Sequence, residues 1–230
     1  MNDMTRNPPL DPPYLYPEYR STTLRSPQEP LLELAQGALE VPGPRVPRAF
    51  VHDGDNDLTT HGKSAPLGEK MILVGRLLDA DGRPIRDALV EIWQANAAGR
   101  YDHPGDTHDA PLDPNFKGVG RALTDSEGRY RFVTVKPGSY PWQNHKFAWR
   151  PQHIHFSLLG NAPVQRLVTQ MYFPGDPLLD IDPVYNSVPD PAARKRMIAT
   201  LALESGIEGI ALGYQFDVVL AGAKSTPLGI

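Results

Sequence analysis

His153-Ile154-His155-Phe156-Ser157-Leu158-Leu159 reads as one β-strand with two unlike faces. Successive strand side chains alternate, so His153 and His155 point one way while Ile154, Phe156 and Leu158 line the opposite, apolar face. Imidazole is a common neutral metal ligand, and two rings on one stiff strand converge on one point. The same pair also fits solvated or hydrogen-bonded histidines on a polar strand face, and the strand alone leaves both readings open.

Outward from this strand, from Lys70 onward, the chain is a series of short apolar runs separated by turn signals, the pattern of an antiparallel sandwich or barrel. MILVGRLL (71–78), the turn DADGRP and DALVEIWQA (87–95) read as a hairpin-like pair. GRALT, DSEG and RYRFVTV (120–135) repeat the arrangement, with Asp-x-x-Gly chemistry suited to a tight turn. RLVTQMYF (166–173) and YQFDVVL (214–220) supply further strands. One helix is expected after them, with Asp190 as N-cap, Pro191 at its first position and AARKRMIATLALE running to Ser205-Gly206. The fold class expected is all-β: an antiparallel β-sandwich core with one or two short helices.

Residues 1–66 differ in texture, with prolines gathered in NPPLDPPYLYPEY, SPQEP and VPGPRVP. Proline removes backbone donors and fixes φ, so this part reads as an extended arm, with a short helix begun by Ser26-Pro27 and running through LLELAQ. Tyr14, Tyr16, Leu31, Leu32 and Leu34 suit the arm to packing on its own domain or on a partner subunit. Residues 67–230 form the β-sandwich domain in this division.

The whole chain narrows the function classes. A net charge of -4 from 23 basic and 27 acidic residues, with no basic run, lacks the footprint of nucleic-acid or anionic-membrane binding and points to a small-molecule partner. No apolar run approaches the roughly 18 residues of a membrane span, and the start lacks a signal-peptide pattern, so a cytoplasmic protein is expected. With no cysteine, thiolate nucleophiles, iron–sulfur clusters and thiolate-bound zinc are excluded, and any metal must sit on nitrogen and oxygen. Two tyrosines lie on connections after strands, Tyr101 in Gly99-Arg100-Tyr101 and Tyr140 in Pro137-Gly138-Ser139-Tyr140-Pro141-Trp142. Loop tyrosines are more often packing residues than ligands. The restricted backbone around Tyr140, however, would hold its phenol in a fixed direction.

The runs WQANAAGRY (93–101), LDPNFKGVGRALTDSEGRY (112–130), KPGSYPW (136–142) and WRPQHIHF (149–156) carry a resemblance to the iron-bearing chains of the intradiol, protocatechuate-type ring-cleaving dioxygenases. The match is collinear over roughly residues 65–220. The resemblance implies that Tyr101, Tyr140, His153 and His155 are the protein ligands of a non-haem Fe(III) ion. It implies cleavage of protocatechuate (3,4-dihydroxybenzoate) by O2, between its two hydroxyls, to 3-carboxy-cis,cis-muconate, in the β-ketoadipate route of aromatic catabolism. Tyr140 is then the axial ligand that leaves and accepts a substrate proton. Arg150 and Gln170 join it as catalytic residues, Arg150 stabilising negative charge on the ring, while Trp142 and Val184 bind substrate. The resemblance also implies an α subunit of the same fold that lacks the iron ligands and closes the pocket in a hetero-oligomer. Bound phenols, ordinarily with a pKa of about 10, ionise readily on a trivalent cation.

Ser139, Gln143 and Lys117 depart from the family pattern, where proline, arginine and glycine are expected, and so does the tail AGAKSTPLGI. Two other readings remain. A catechol or hydroxyquinol 1,2-dioxygenase would use the same ligands behind a helical N-terminal domain, which the proline-rich arm does not build. A non-catalytic β-sandwich binding module would carry the histidines by coincidence. The remaining histidines, His52, His61, His103, His108 and His145, fall in loops and read as solvated.

Overall fold

β-Branched and aromatic residues in two-residue alternation set up strands that each bury one face. A computed structural model describes residues 10–32, 48–159 and 166–229 and arranges these strands in two facing sheets. The first is built on β1 (Lys70–Leu78), and the second contains β2 (Leu89–Trp93) and β3 (Val119–Leu123). β4 (Arg129–Val135) pairs antiparallel with β1 along its length. A small separate ladder joins β5 (Tyr140–Pro141) to β6 (Trp149–Arg150). β7 (His153–Leu159) and β8 (Arg166–Tyr172) complete the second sheet in the order β3-β2-β7-β8. β9 (Thr200–Leu201), β10 (Leu212–Gln215) and β11 (Val218–Val219) complete the first, where β10 and β11 run parallel to β1.

The expected strands are present, but their pairing differs from the hairpins read in the sequence. β1 and β2 lie in opposite sheets, as do β3 and β4. The turns 79–83 and 125–129 are real, closed by Asp79 N–H to Arg83 O and Asp125 N–H to Arg129 O, yet each passes the chain across the sandwich. Alternation tells which face of a strand is apolar and is silent on which strand lies beside it. Leu73, Phe132 and Phe216 of one layer meet Ile92, Ile154, Phe156 and Leu158 of the other in one buried core.

Two helix expectations are corrected. Asp190 does cap a helix, its carboxylate accepting from Ala192 N–H and Ala193 N–H, but the helix is only Pro191–Lys195. Beyond it Tyr172 N–H bonds Met197 O and Ala199 N–H bonds Tyr172 O, and Thr200–Leu201 pairs with β10. Sheet pairing thus outcompetes helix propagation through Ile198 and Thr200, whose β-branches favour the extended state. In the arm, the helix is α1 (Thr22–Arg25), and it ends at Ser26 instead of beginning there. Ser26 is extended (ψ 144°), as a residue before proline prefers, and residues 27–32 are not helical. The rest of that expected helix, with Leu34, lies outside the described residues. The other helices are α2 (Pro183–Asn186), the helix Pro191–Lys195 as α3, and short 3-10 turns.

Part of the arm belongs to the sandwich itself. Leu58 is fully buried in the core, held by its N–H to Val133 O, and Val133 N–H returns to Asn56 O. Leu10 enters a second, smaller cluster with Tyr172, Leu179 and Met197. Tyr14, Leu31 and Leu32 are exposed. Among the described residues no helix is long and apolar enough to cross a membrane.

Phe156 is wholly buried where the two sheets meet, against Tyr130 and Phe216. Phe156→Ala is expected to destabilise the fold by about 3–5 kcal/mol, measured by denaturant unfolding. A loss under about 1 kcal/mol would contradict this account of the core.

Candidate metal centre

The alternation of β7 is realised. Ile154, Phe156 and Leu158 enter the core, and His153 and His155 stand on the other face. Register fixes their neighbours: His155 lies opposite Trp93 on β2 and Gln170 on β8, and His153 opposite Tyr172. The His155 ring stacks on Trp93, centroids 4.8 Å apart and planes 2° from parallel. The His153 and His155 Nε2 atoms are 3.2 Å apart.

His153 Nδ1 sits 2.7 Å from Pro151 O. A carbonyl only accepts, so Nδ1 carries the proton and Nε2 presents its lone pair. Burial, then the Arg150 charge, hold His153 well below the usual imidazole range, and burial followed by His153 does the same for His155. Both rings are neutral, the state in which imidazole binds a cation.

The two tyrosines reach this point from opposite loops. Asn96 organises the first: its side-chain oxygen accepts from Ala98 N–H and Arg100 N–H, and its amide donates to Pro111 O. Asp106 organises the stretch beyond, accepting from Tyr101 N–H and His108 N–H. The Tyr140 loop is tied to the first by Gly138 N–H to Asn96 O. Contact here leaves no room for side chains. A Cβ on Gly99, at φ +78°, would lie 2.1 Å from Ser139 O, and one on Gly138 would lie 2.5 Å from Ala97 O. The β5–β6 ladder then sets Tyr140 opposite Arg150.

As a result the Tyr101 and Tyr140 rings meet edge to face at 5.3 Å, and Tyr140 Oη lies 3.4 Å from His153 Nε2. Tyr101 Oη is buried without any hydrogen-bond partner. Burial, then the neighbouring Tyr140, raise the Tyr101 phenol well above its ordinary pKa, so without a cation it is a neutral hydroxyl. A buried orphan hydroxyl is costly, and a cation among these four groups would satisfy it and favour its ionised form. Donor separations of 3.2 and 3.4 Å also suit a coordination shell with bonds of about 2 Å. Among the described residues no three His, Asp or Glu side chains converge, so a cation site here depends on the phenols. A cavity of about 870 Å³ opens onto Tyr101, Tyr140, His155, Trp93, Trp142 and Gln143.

Arg150 is buried. Its Nε and Nη2 donate to the two Asp182 oxygens at 2.9 and 3.0 Å, and Nη2 also reaches Gln170 Oε1 at 2.8 Å. Nη1 faces His153 Nε2 at 3.2 Å, and the guanidinium lies 5.0 Å from the Trp142 ring centroid. Burial opposes its charge, but Asp182 overcomes this and leaves Arg150 more firmly protonated than usual. Tyr172 Oη lies 3.0 Å from Asp182 Oδ2 and 3.1 Å from Gln170 Oε1, closing the network. Val184 is buried in α2, and it, Arg150 and Gln170 all lie off the lining of that cavity.

Sequence reading had not singled out Trp93, Tyr172, Asp182, Asn96 or Asp106. Trp93 and Tyr172 were available from cross-strand register, which needs the pairing; Asp182 comes from a turn that no periodicity marks. Two loop histidines also meet backbone carbonyls, and one of them, His145, is buried. His145 is buried against Trp149 O at 2.9 Å, and His108 Nδ1 faces Gly99 O at 3.1 Å.

Two variants test this construction. Gly99→Ala should cost at least about 1–2 kcal/mol from the left-handed backbone alone and separate the tyrosine loops, read as lower thermal stability and lost ferric-ion uptake. Asp182→Ala should cost about 3–5 kcal/mol by denaturant unfolding, because it strands a buried guanidinium.

A family model described as Dioxygenase matches residues 43–222, and one described as Protocatechuate 3,4-dioxygenase beta subunit N terminal matches residues 7–36. The protocatechuate 3,4-dioxygenase beta chain of Burkholderia cepacia is 52% identical over 97% of this chain and 95% of that one. The corresponding alpha chain of the same organism is 31% identical, covering 69% of this chain and 76% of its own length. Among solved structures, 3-chlorocatechol 1,2-dioxygenase from Rhodococcus opacus 1CP superposes with a TM-score of 0.58 at 24% identity, covering 75% of this chain and 67% of that one, a likeness of fold alone. The chain belongs to the intradiol ring-cleavage dioxygenase family, in the group of protocatechuate 3,4-dioxygenase beta subunits.

Proposed function

We propose that this chain is the iron-bearing subunit of an enzyme that cleaves protocatechuate with O2 to 3-carboxy-cis,cis-muconate, with Tyr101, Tyr140, His153 and His155 holding a non-haem ferric ion. The observation that carries the reading is the convergence of two neutral imidazole Nε2 atoms and two phenols, one of them orphaned, at the end of a cavity. Two phenolates and two imidazoles favour Fe(III) over Fe(II), and the ion when bound supplies Lewis acidity that draws both catechol oxygens into their ionised form.

The chain's own residues do the rest. Tyr140 Oη, at the cavity edge of the cluster, would help hold the ion and is placed to accept a substrate hydroxyl proton. His153 is fixed in one tautomer by Pro151 O and cannot turn its lone pair away. Arg150 Nη1 presents a fixed positive charge beside His153, where negative charge accumulates on the substrate ring. Gln170 and Asp182 hold that guanidinium in place. Trp142 covers Arg150 on the side of the cavity. In this reading residues 67–230 form the catalytic domain and residues 1–66 the arm. An α subunit of the same fold completes the pocket; the support is the alpha-chain relatives from Burkholderia cepacia and Pseudomonas putida, each 31% identical to this chain.

The visible spectrum is the direct test. The purified complex should be burgundy-red from phenolate-to-iron charge transfer and should cleave 3,4-dihydroxybenzoate. Tyr101→Phe should lose most of the band and at least about 100-fold in kcat. A colourless protein that stays inactive after ferric reconstitution would sink the proposal.

A further inference from the structure

The structure lays the C-terminal segment along β8, the outer strand of its sheet. Thr169 Oγ1 donates to Pro227 O at 2.7 Å, and Gly229 N–H reaches Val168 O at 3.2 Å. Gln170 Nε2 donates to Gly229 O at 2.7 Å. Ser225 and Thr226 are buried, Leu228 packs on the core, and Leu228 N–H is held by Asp11 of the arm at 2.9 Å. Residue 229 has no room for a side chain, since a Cβ there would lie 2.6 Å from Gln170 N.

A primary amide has two unlike ends. A guanidinium only donates and a peptide carbonyl only accepts, so a single orientation of Gln170 satisfies both neighbours: Nε2 toward Gly229 and Oε1 toward Arg150. The flipped amide would set NH2 against the guanidinium and oxygen against oxygen. Asp182 grips Arg150 along one edge, Nε and Nη2, and the guanidinium plane can still tilt about that edge. Gln170 Oε1 takes an N–H of that same Nη2 from another direction, and because the guanidinium is planar, holding this second N–H restricts the tilt and keeps Nη1 on His153.

We propose that the C-terminal segment 225–229 is a positioning element of the site, with the Gly229 carbonyl fixing the Gln170 amide so that Arg150 stays aimed at His153. The consequence for turnover rests on the role given to Arg150 under the proposed function, whereas the geometry does not. The test uses the iron-loaded complex with its partner subunit and compares a chain ended at Leu228, Gln170→Leu and the two changes combined. Each single change should lower kcat by about tenfold with iron content and the visible band retained, and the combination should be no worse than Gln170→Leu alone. Additive losses, or full kcat in the shortened chain, would overturn the proposal. Should the shortened chain not fold, Gly229→Ala carries the same expectation, because its methyl displaces the tail from Gln170. A crystal structure of the shortened or substituted complex reads the geometry without turnover: Nη1 should leave His153, and an unchanged Gln170–Arg150–His153 arrangement overturns the proposal even if the wild-type complex proves inactive on 3,4-dihydroxybenzoate.

Discussion

Everything in this molecule depends on the two-residue period of β7. One strand supplies the centre of the apolar core through Ile154, Phe156 and Leu158 and, half a repeat away, the two imidazoles of the site. The core cannot shift along that strand by a single residue without sending the histidines into the sandwich and phenylalanine into the cavity. Stability and chemistry are therefore under one register constraint, and the imidazoles inherit the rigidity of a core strand.

The tyrosines are held differently. Tyr101 stands on a loop and Tyr140 on the two-residue strand β5, and their precision comes from backbone contact at Gly99 and Gly138, where only the lack of a Cβ permits the approach. Behind them lies a buried guanidinium whose charge is met by one carboxylate and shared with a phenol and an amide. Such a cluster contributes little net stability, since desolvation offsets the attraction, but it severely penalises any arrangement that breaks a pair. It acts as a constraint on geometry.

Legibility in the sequence followed the range of the interactions. The faces of β7, the strand positions and the Asp190 cap are set by residues within a few positions of one another and could be read directly. Strand pairing could not: the runs around residues 71–95 look like a hairpin, and only the packing of two layers sends β1 and β2 to opposite sheets. The helix expected through Ile198 and Thr200 failed for the same reason, because distant strand edges claim those backbone groups. Of the site, the paired histidines were visible from alternation, the tyrosines came from family resemblance, and Asp182, Tyr172 and Trp93 emerged only once the chain was folded. Arg150 was named beside the histidines, while its burial against Asp182, which nothing local marks, emerged with the fold.

The arm and the loop that carries Tyr140 are also worth viewing as one piece. Tyr19 packs edge-on against Trp142, Arg20 and Ser21 take their backbone partners from Asn144, and Arg20 reaches Gln143 O. Two segments more than a hundred residues apart thus share a single set of contacts at the cavity wall. Evolution is then not free to vary them separately: a change at 142–144 is felt at 19–21, and natural diversity in pocket shape should be written as paired drift in the two. For the engineer the inheritable module is discontinuous, and a pocket transplanted without its matching arm would arrive without its own wall.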